Sequence, residues 1–208
     1  MSKFSTEALF KSKIDEIWDN ETYSTIESIS RGYAVQDDIR FNSLLFIGIN
    51  PSMYGSIGRI FYQNSHGETH KYFKKFIDVS KDTDMPWSHI DLLFLRETDQ
   101  KIVKQLMRDK IGYEFFMNQL AVSKEIIELA KPQLIVINNT LARELFQFKT
   151  IFDEQIGTHR IFGNIALEGT PVFFTSMLTG QRALDLGSYE RLKWHIKQVK
   201  RIQSKISI

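Results

Sequence analysis

"LLFIGINPSMYG", Leu44–Gly55, decides how the chain is read. Five residues from Leu44 to Gly48 are apolar or glycine, too short a run for a globular helix and right for a strand buried on both faces. Asn50-Pro51 then ends the run, and Gly55 and Gly58 follow in the loop. An asparagine followed by proline is a common turn. It is also what a ligand-bearing strand end looks like in an open α/β sheet, where sites lie beyond the carboxyl ends of parallel strands. Both readings stand on this stretch alone.

Working outward, the same kind of run recurs. "HIDLLFL" (His89–Leu95), "QLIVINN" after Pro132 and "TPVFFTSML" from Thr170 read as further buried strands. Between them the apolar period changes to that of helices. Ser5–Asp19 carries Phe10, Ile14 and Ile17 or Trp18 on one stripe, and "GETHKYFKKFIDVSK" carries Tyr72, Phe73, Phe76 and Ile77. Asp99–Arg108, Tyr113–Ala130, "TLARELFQF" and the closing "SYERLKWHIKQVKRIQ" complete the helices. "HRIFGNIAL" reads as a hairpin around Gly163-Asn164.

Alternating strands and helices predict an α/β fold with a mainly parallel central sheet and helices on both faces, an α/β/α sandwich. The chain of 208 residues suits one domain, 1–208, with an N-terminal helical segment over about residues 1–40. The residues just after each strand are then the informative ones: Asn50-Pro51, Arg96-Glu97-Thr98, Asn138-Asn139, and Ser176 through Arg182.

Composition narrows the function classes. The formal net charge is +2, so no global basic excess announces nucleic acid. The absence of cysteine removes disulfides, thiolate zinc sites and cysteine-ligated clusters. The N-terminal residues are mixed and charged, without the apolar core of a signal peptide, and no stretch is long enough for a membrane span. A cytoplasmic protein without membrane association, monomeric, is the expectation. "HGETH" sets His66 and His70 four apart, but the acid is not in the H-E-x-x-H position and no third ligand is evident, so no metal or other cofactor is expected. Neither a Walker loop nor G-x-G-x-x-G occupies the first strand end, and no G-x-S-x-G elbow supports an α/β hydrolase. The closing helix is locally basic through Arg191, Lys193, Lys197, Lys200, Arg201 and Lys205. That is either a phosphate-facing patch or a solvated face with cations favoured near a helix C-terminus.

"LLFIGINPS" resembles the first motif of the uracil-DNA glycosylase superfamily, in its mismatch-specific and thymine-DNA glycosylase branch, commonly G-I-N-P-G after a buried strand. "GRIFYQNSHGETHKYFKKF" is similar to that family's aromatic loop and helix, "KPQLIVINNTLARELF" to its later strand and helix, and "PVFFTSMLTGQR" stands in the place of its second motif. The resemblance runs in order from about Leu44 to His195. It departs at Ser52, where glycine is usual. It departs again at Thr175–Gly180, which has neither histidine nor a proline-serine pair, and in "HIDLLFLRET", which lacks the asparagine of the strongly uracil-specific branch.

The resemblance implies a DNA glycosylase, active in base-excision repair on single- or double-stranded DNA. Such an enzyme flips a damaged or mispaired base into a pocket and hydrolyses its N-glycosidic bond. Asn50 would orient the attacking water through its amide oxygen. The backbone N–H groups around Gly48–Ile49 and Ser176–Met177, with the side chain of Ser176 or Thr179, would stabilise the departing base anion. Gly48, Ile49, Pro51, Phe61 and Tyr62 would line the base pocket, with Phe61 as the stacking ring and Tyr54 behind it. Leu178 would wedge into the gap, with Thr179, Gly180, Gln181 and Arg182 against DNA. A carboxylate would be a better base than an amide, and none stands in the first motif. The alternative is a non-catalytic nucleic-acid or nucleobase-binding protein of the same fold.

Overall fold

The computed structural model describes residues 2–53, 57–63, 71–180 and 183–206. Its centre is a six-stranded sheet. The first strand of the opening motif, β4 (Leu44–Gly48), lies between β6 (Trp87–Asp91) and β7 (Leu134–Ile137), parallel to both. Next to β7, and parallel to it, runs β10 (Pro171–Phe174). Two antiparallel strands finish that edge: β9 (Thr158–Ile161) beside β10, then β8 (Thr150–Asp153). The order across the sheet is β6-β4-β7-β10-β9-β8. The fold is α/β, and the sheet is mainly parallel.

Successive side chains on a strand face opposite sides, and here both sides are dry. Leu45, Ile47, Ile135, Ile137 and Val172 join one apolar cluster with Phe10 and Ile14 of α1 (Thr6–Trp18) and Phe116, Leu120 and Ile127 of α5 (Lys110–Ala130). Leu44, Phe46, Leu134, Val136 and Phe173 join a second with Phe76 and Val79 of α3 (Lys74–Thr83) and Leu192, Ile196 and Val199 of α7 (Leu186–Ile206). A strand packed on both faces has no polar side to show, which is why β4 and β7 read as unbroken apolar runs.

Local signals set the helix ends. The Ser5 hydroxyl accepts from the Ala8 N–H at 3.1 Å and starts α1. Asp109 caps α5 through the Gly112 N–H. That helix stops at Lys131, which adopts the left-handed conformation (φ 44°) just before Pro132. Asp99 caps α4 (Gln100–Leu106). At α7 the cap is Asp185, whose carboxylate accepts from the Ser188 N–H.

Three expectations need correction. Residues 1–40 are not simply helical. After α1 come a single 3-10 turn, the short α2 (Glu27–Ser30), and β2 (Ala34–Gln36) and β3 (Asp38–Arg40). β3 pairs with β1 (Lys3–Ser5), and β2 with the distant β5 (Ile60–Tyr62), so these strands exist through partners far off in sequence and carry no period of their own. Secondly, "HIDLLFL" is strand only to Asp91. Leu92 and Leu93 still donate to Gly48 and Ile49, but the N–H groups of Phe94 and Leu95 go to the buried Gln119 amide oxygen, and the chain leaves the ladder. Thirdly, the hairpin arm after Gly163-Asn164 is turn. Asn164 accepts from Ala166 and Leu167, and the strand that returns against β9 is β10.

Candidate functional site

The parallel strands β4, β6 and β7 end side by side, at Gly48, Asp91 and Ile137, where a doubly wound sheet keeps its ligand. A cavity of about 430 Å³ opens there. Its walls come from both sides of the opening motif: residues 48–52 after β4, Asp91 and His89 of β6, Glu97-Thr98 beyond it, Asn138-Asn139 after β7, and Met177 after β10. Tyr62 of β5, with Tyr72 and Phe73 of the 3-10 turn Lys71–Phe73, supplies the aromatic side.

Asn50 lines this cavity. Its amide nitrogen donates to three backbone carbonyls, Glu97 at 2.6 Å, Pro51 at 3.0 Å and Leu95 at 3.4 Å. These bonds clamp the loop after β4 to the loop after β6. They also fix which way the amide points. Glu97 sits in the second loop with its carboxylate fully used: the Thr98 and Asp99 N–H groups donate to Oε1, and Arg31 donates to Oε2 at 2.5 Å. Glu97 is 6% exposed and is a structural anion.

Asp91 is different. At 9% exposure it is also buried, yet it has no hydrogen-bond donor among the described residues. His89 Nε2 stands 3.7 Å from Asp91 Oδ1, beyond hydrogen-bonding range. Two residues apart on β6, the two side chains share one face. The His89 imidazole is enclosed by the rings of Tyr72, Phe73 and Phe76, at centroid distances of 5.8, 5.4 and 5.6 Å, and neither ring nitrogen has a hydrogen-bond partner among the described residues. Burial alone pushes the Asp91 carboxyl up to about 7 and the His89 imidazole down to about 3. Both are therefore neutral in mildly acidic solution. Burial, with the neighbouring Asp91 charge, also raises the Tyr62 and Tyr72 phenols. Gly48 is required beside them, because a Cβ there would overlap Asp91 Oδ1.

No protein-family model matches the chain, and no curated protein matches it. The site therefore has to be judged on its own geometry.

Of the residues singled out in the sequence, Gly48, Ile49, Asn50, Pro51 and Tyr62 line the cavity. Phe61 does not. Alternation along β5 turns it the other way, where it packs against the first core cluster with its ring edge-on to Tyr33 at 5.5 Å. Ser176 is exposed and outside the cavity wall, while Met177 is in it. Leu178 is fully buried in the second cluster, beneath α7, so it is a core residue and not a free wedge. Thr179 is half-buried, and Gly180 is exposed with a positive φ of 94°. Tyr54, Gly55, His66, His70, Gln181 and Arg182 lie outside the described residues. Among the described residues no group of three or more His, Asp or Glu side chains is placed to hold a metal.

On α7 the lysines are largely spoken for. Lys193 pairs with Asp78 and Glu190, Lys197 with Asp82, and Lys200 with Asp84 and two backbone carbonyls of the α3 C-terminus. These contacts favour the solvated-face reading of the basic helix. No helix among the described residues is long and apolar enough to cross a membrane.

The sequence reading missed Asp91 and His89, taking "HIDLLFL" as plain core. A signal was present: two ionisable residues at i and i+2 in an apolar strand fall on one face, and a parallel strand gives that face no water.

Proposed function

We propose that the chain is a DNA N-glycosylase-like protein, which takes a flipped uracil-type base into the cavity at the ends of β4, β6 and β7. The observation that carries this reading is the composition of that cavity around Asn50. A planar polar ring needs aromatic faces and a few fixed polar groups, and Tyr62, Tyr72 and Phe73 stand beside Asn50 and Asp91 there. The Asn50 nitrogen is tied to backbone, so its amide oxygen is held in one orientation to place a water. The backbone around Gly48–Ile49 and the approach to Met177 are the candidates for receiving charge on the departing base. A uracil-DNA glycosylase-like single domain is the fold that goes with this proposal.

The test is a panel of single-stranded and duplex oligonucleotides carrying uracil, hypoxanthine, xanthine or a thymine mismatch. Base release by the wild type that Asn50→Ala lowers at least a hundredfold, with DNA affinity kept, supports the reading. No release from any substrate contradicts it.

A second reading, nucleobase binding without catalysis, has specific support. Leu178 is buried, Ser176 is exposed and outside the cavity wall, and Lys193, Lys197 and Lys200 of α7 are engaged within the protein. Base affinity with no DNA affinity at low salt would favour it.

A further inference from the structure

We infer that Asp91 is the specificity-determining residue of this cavity and that, as a neutral carboxylic acid, it reads a heterocycle edge setting one acceptor beside one N–H. Uracil and hypoxanthine carry such an edge as a lactam. The inference rests on the reading that the cavity takes a nucleobase, and it concerns how the base is chosen.

Asp91 lacks a hydrogen-bond donor among the described residues, and its protonation state decides which edge it can match. A carboxylate offers only acceptors and matches an edge with two donors. A carboxylic acid offers one donor and one acceptor, side by side, and matches a carbonyl next to an N–H with two parallel hydrogen bonds. The surroundings select between these forms. Facing Asp91 are the His89 ring on its own strand, the Gly48 backbone of β4, the Tyr62 and Tyr72 phenols, and the Asn138 side chain, which hydrogen-bonds Tyr72. Glu97 lines the same cavity, and its charge is matched by Arg31. Among the described lining residues none is lysine or arginine. Among the described residues a charged Asp91 thus has no hydrogen-bond donor, and the one basic group near it is His89 at 3.7 Å, itself buried, whereas a neutral carboxyl loses little by burial. The elevated proton affinity of the carboxyl, to about 7, agrees with this geometry. Gly48 completes the arrangement, since the space a Cβ would take is where the carboxyl sits.

The inference makes base affinity depend on pH in a defined direction. Binding needs the proton, so it is full below about pH 6 and weakens as pH rises through the folded value near 7. The experiment is calorimetric titration of free uracil into wild type, Asp91→Asn and Asp91→Ala from pH 6 to pH 8. Wild-type affinity should fall about tenfold over that range, the change in protonated fraction for a group titrating near 7. Asp91→Asn keeps a donor beside an acceptor, so it should bind at both pH values without that dependence. Asp91→Ala should lose at least tenfold at pH 6 while its circular dichroism and melting stay cooperative. Wild-type affinity that is unchanged or higher at pH 8, Asp91→Ala binding as well as wild type, or no uracil binding at pH 6 would each overturn the inference. Base release by the same proteins separates the two proposals. Release with pH-indifferent binding removes this inference and keeps the glycosylase reading; the expected binding without release does the reverse.

Discussion

Two buried acids face one cavity, and among the described residues only one of them is satisfied. Glu97 has an arginine and two backbone N–H groups on its carboxylate; Asp91 has no donor among those residues. The first is what a fold does with a charge it must keep: it surrounds it with donors and uses it to hold two loops. The second is a buried acid that lines the cavity with no donor among the described residues. Burial by itself does not single out an acid as a candidate for function; burial in a cleft without donors does.

The contrast is broken most severely at Glu97. Glu97→Ala strands two N–H groups and Arg31 and should cost about 3–5 kcal/mol in urea denaturation, the usual loss for removing one member of a buried pair. A loss below about 1 kcal/mol would mean that the loops hold without it.

Asp91→Asn should act in the opposite direction. A carboxyl raised from 3.8 to about 7 favours the folded state at low pH, and that advantage is lost as pH rises between those values. His89, lowered from 6.5 to about 3, works the other way and removes stability as pH falls through the same window. In the wild type the two slopes nearly cancel between about pH 4 and 6.5. Asp91→Asn should stabilise the protein by up to about 4 kcal/mol at pH 8 and unmask a rise of about 1.4 kcal/mol per pH unit over that window. A flat profile in the variant would remove His89 from the account.

Gly48→Ala pushes a methyl group at the Asp91 carboxyl and should destabilise by about 2 kcal/mol, the scale of overpacking a tight site, with ligand affinity lost alongside. Smallest is Lys197→Ala on α7. An ion pair at the surface is worth under about 1 kcal/mol, so a change within 0.5 kcal/mol is expected by thermal melting. If the same change weakened DNA binding strongly, the helix would be part of a phosphate-binding face after all.

How much of this was legible follows from what each residue answers to. β4 and β7 announced themselves because both their faces meet apolar neighbours, and Asn50 because a strand end is a local event. β2, β3 and β8 could not be read, since each depends on a partner strand rather than on its own period. Leu178 reads as a loop residue until α7 is seen lying over it. Asp91 and Glu97 look alike in the sequence. Among the described residues donors surround one and not the other, a difference made by separate segments that meet at the ends of the strands.

The most direct test is to titrate Asp91 itself. Carboxyl-carbon NMR on selectively labelled protein, with Asp91→Asn for assignment, follows its protonation without any ligand. The buried carboxyl, without a donor among the described residues, should show a midpoint near 7. A midpoint near the ordinary 3.8 would mean that Asp91 is a solvated or paired carboxylate, and would contradict the account.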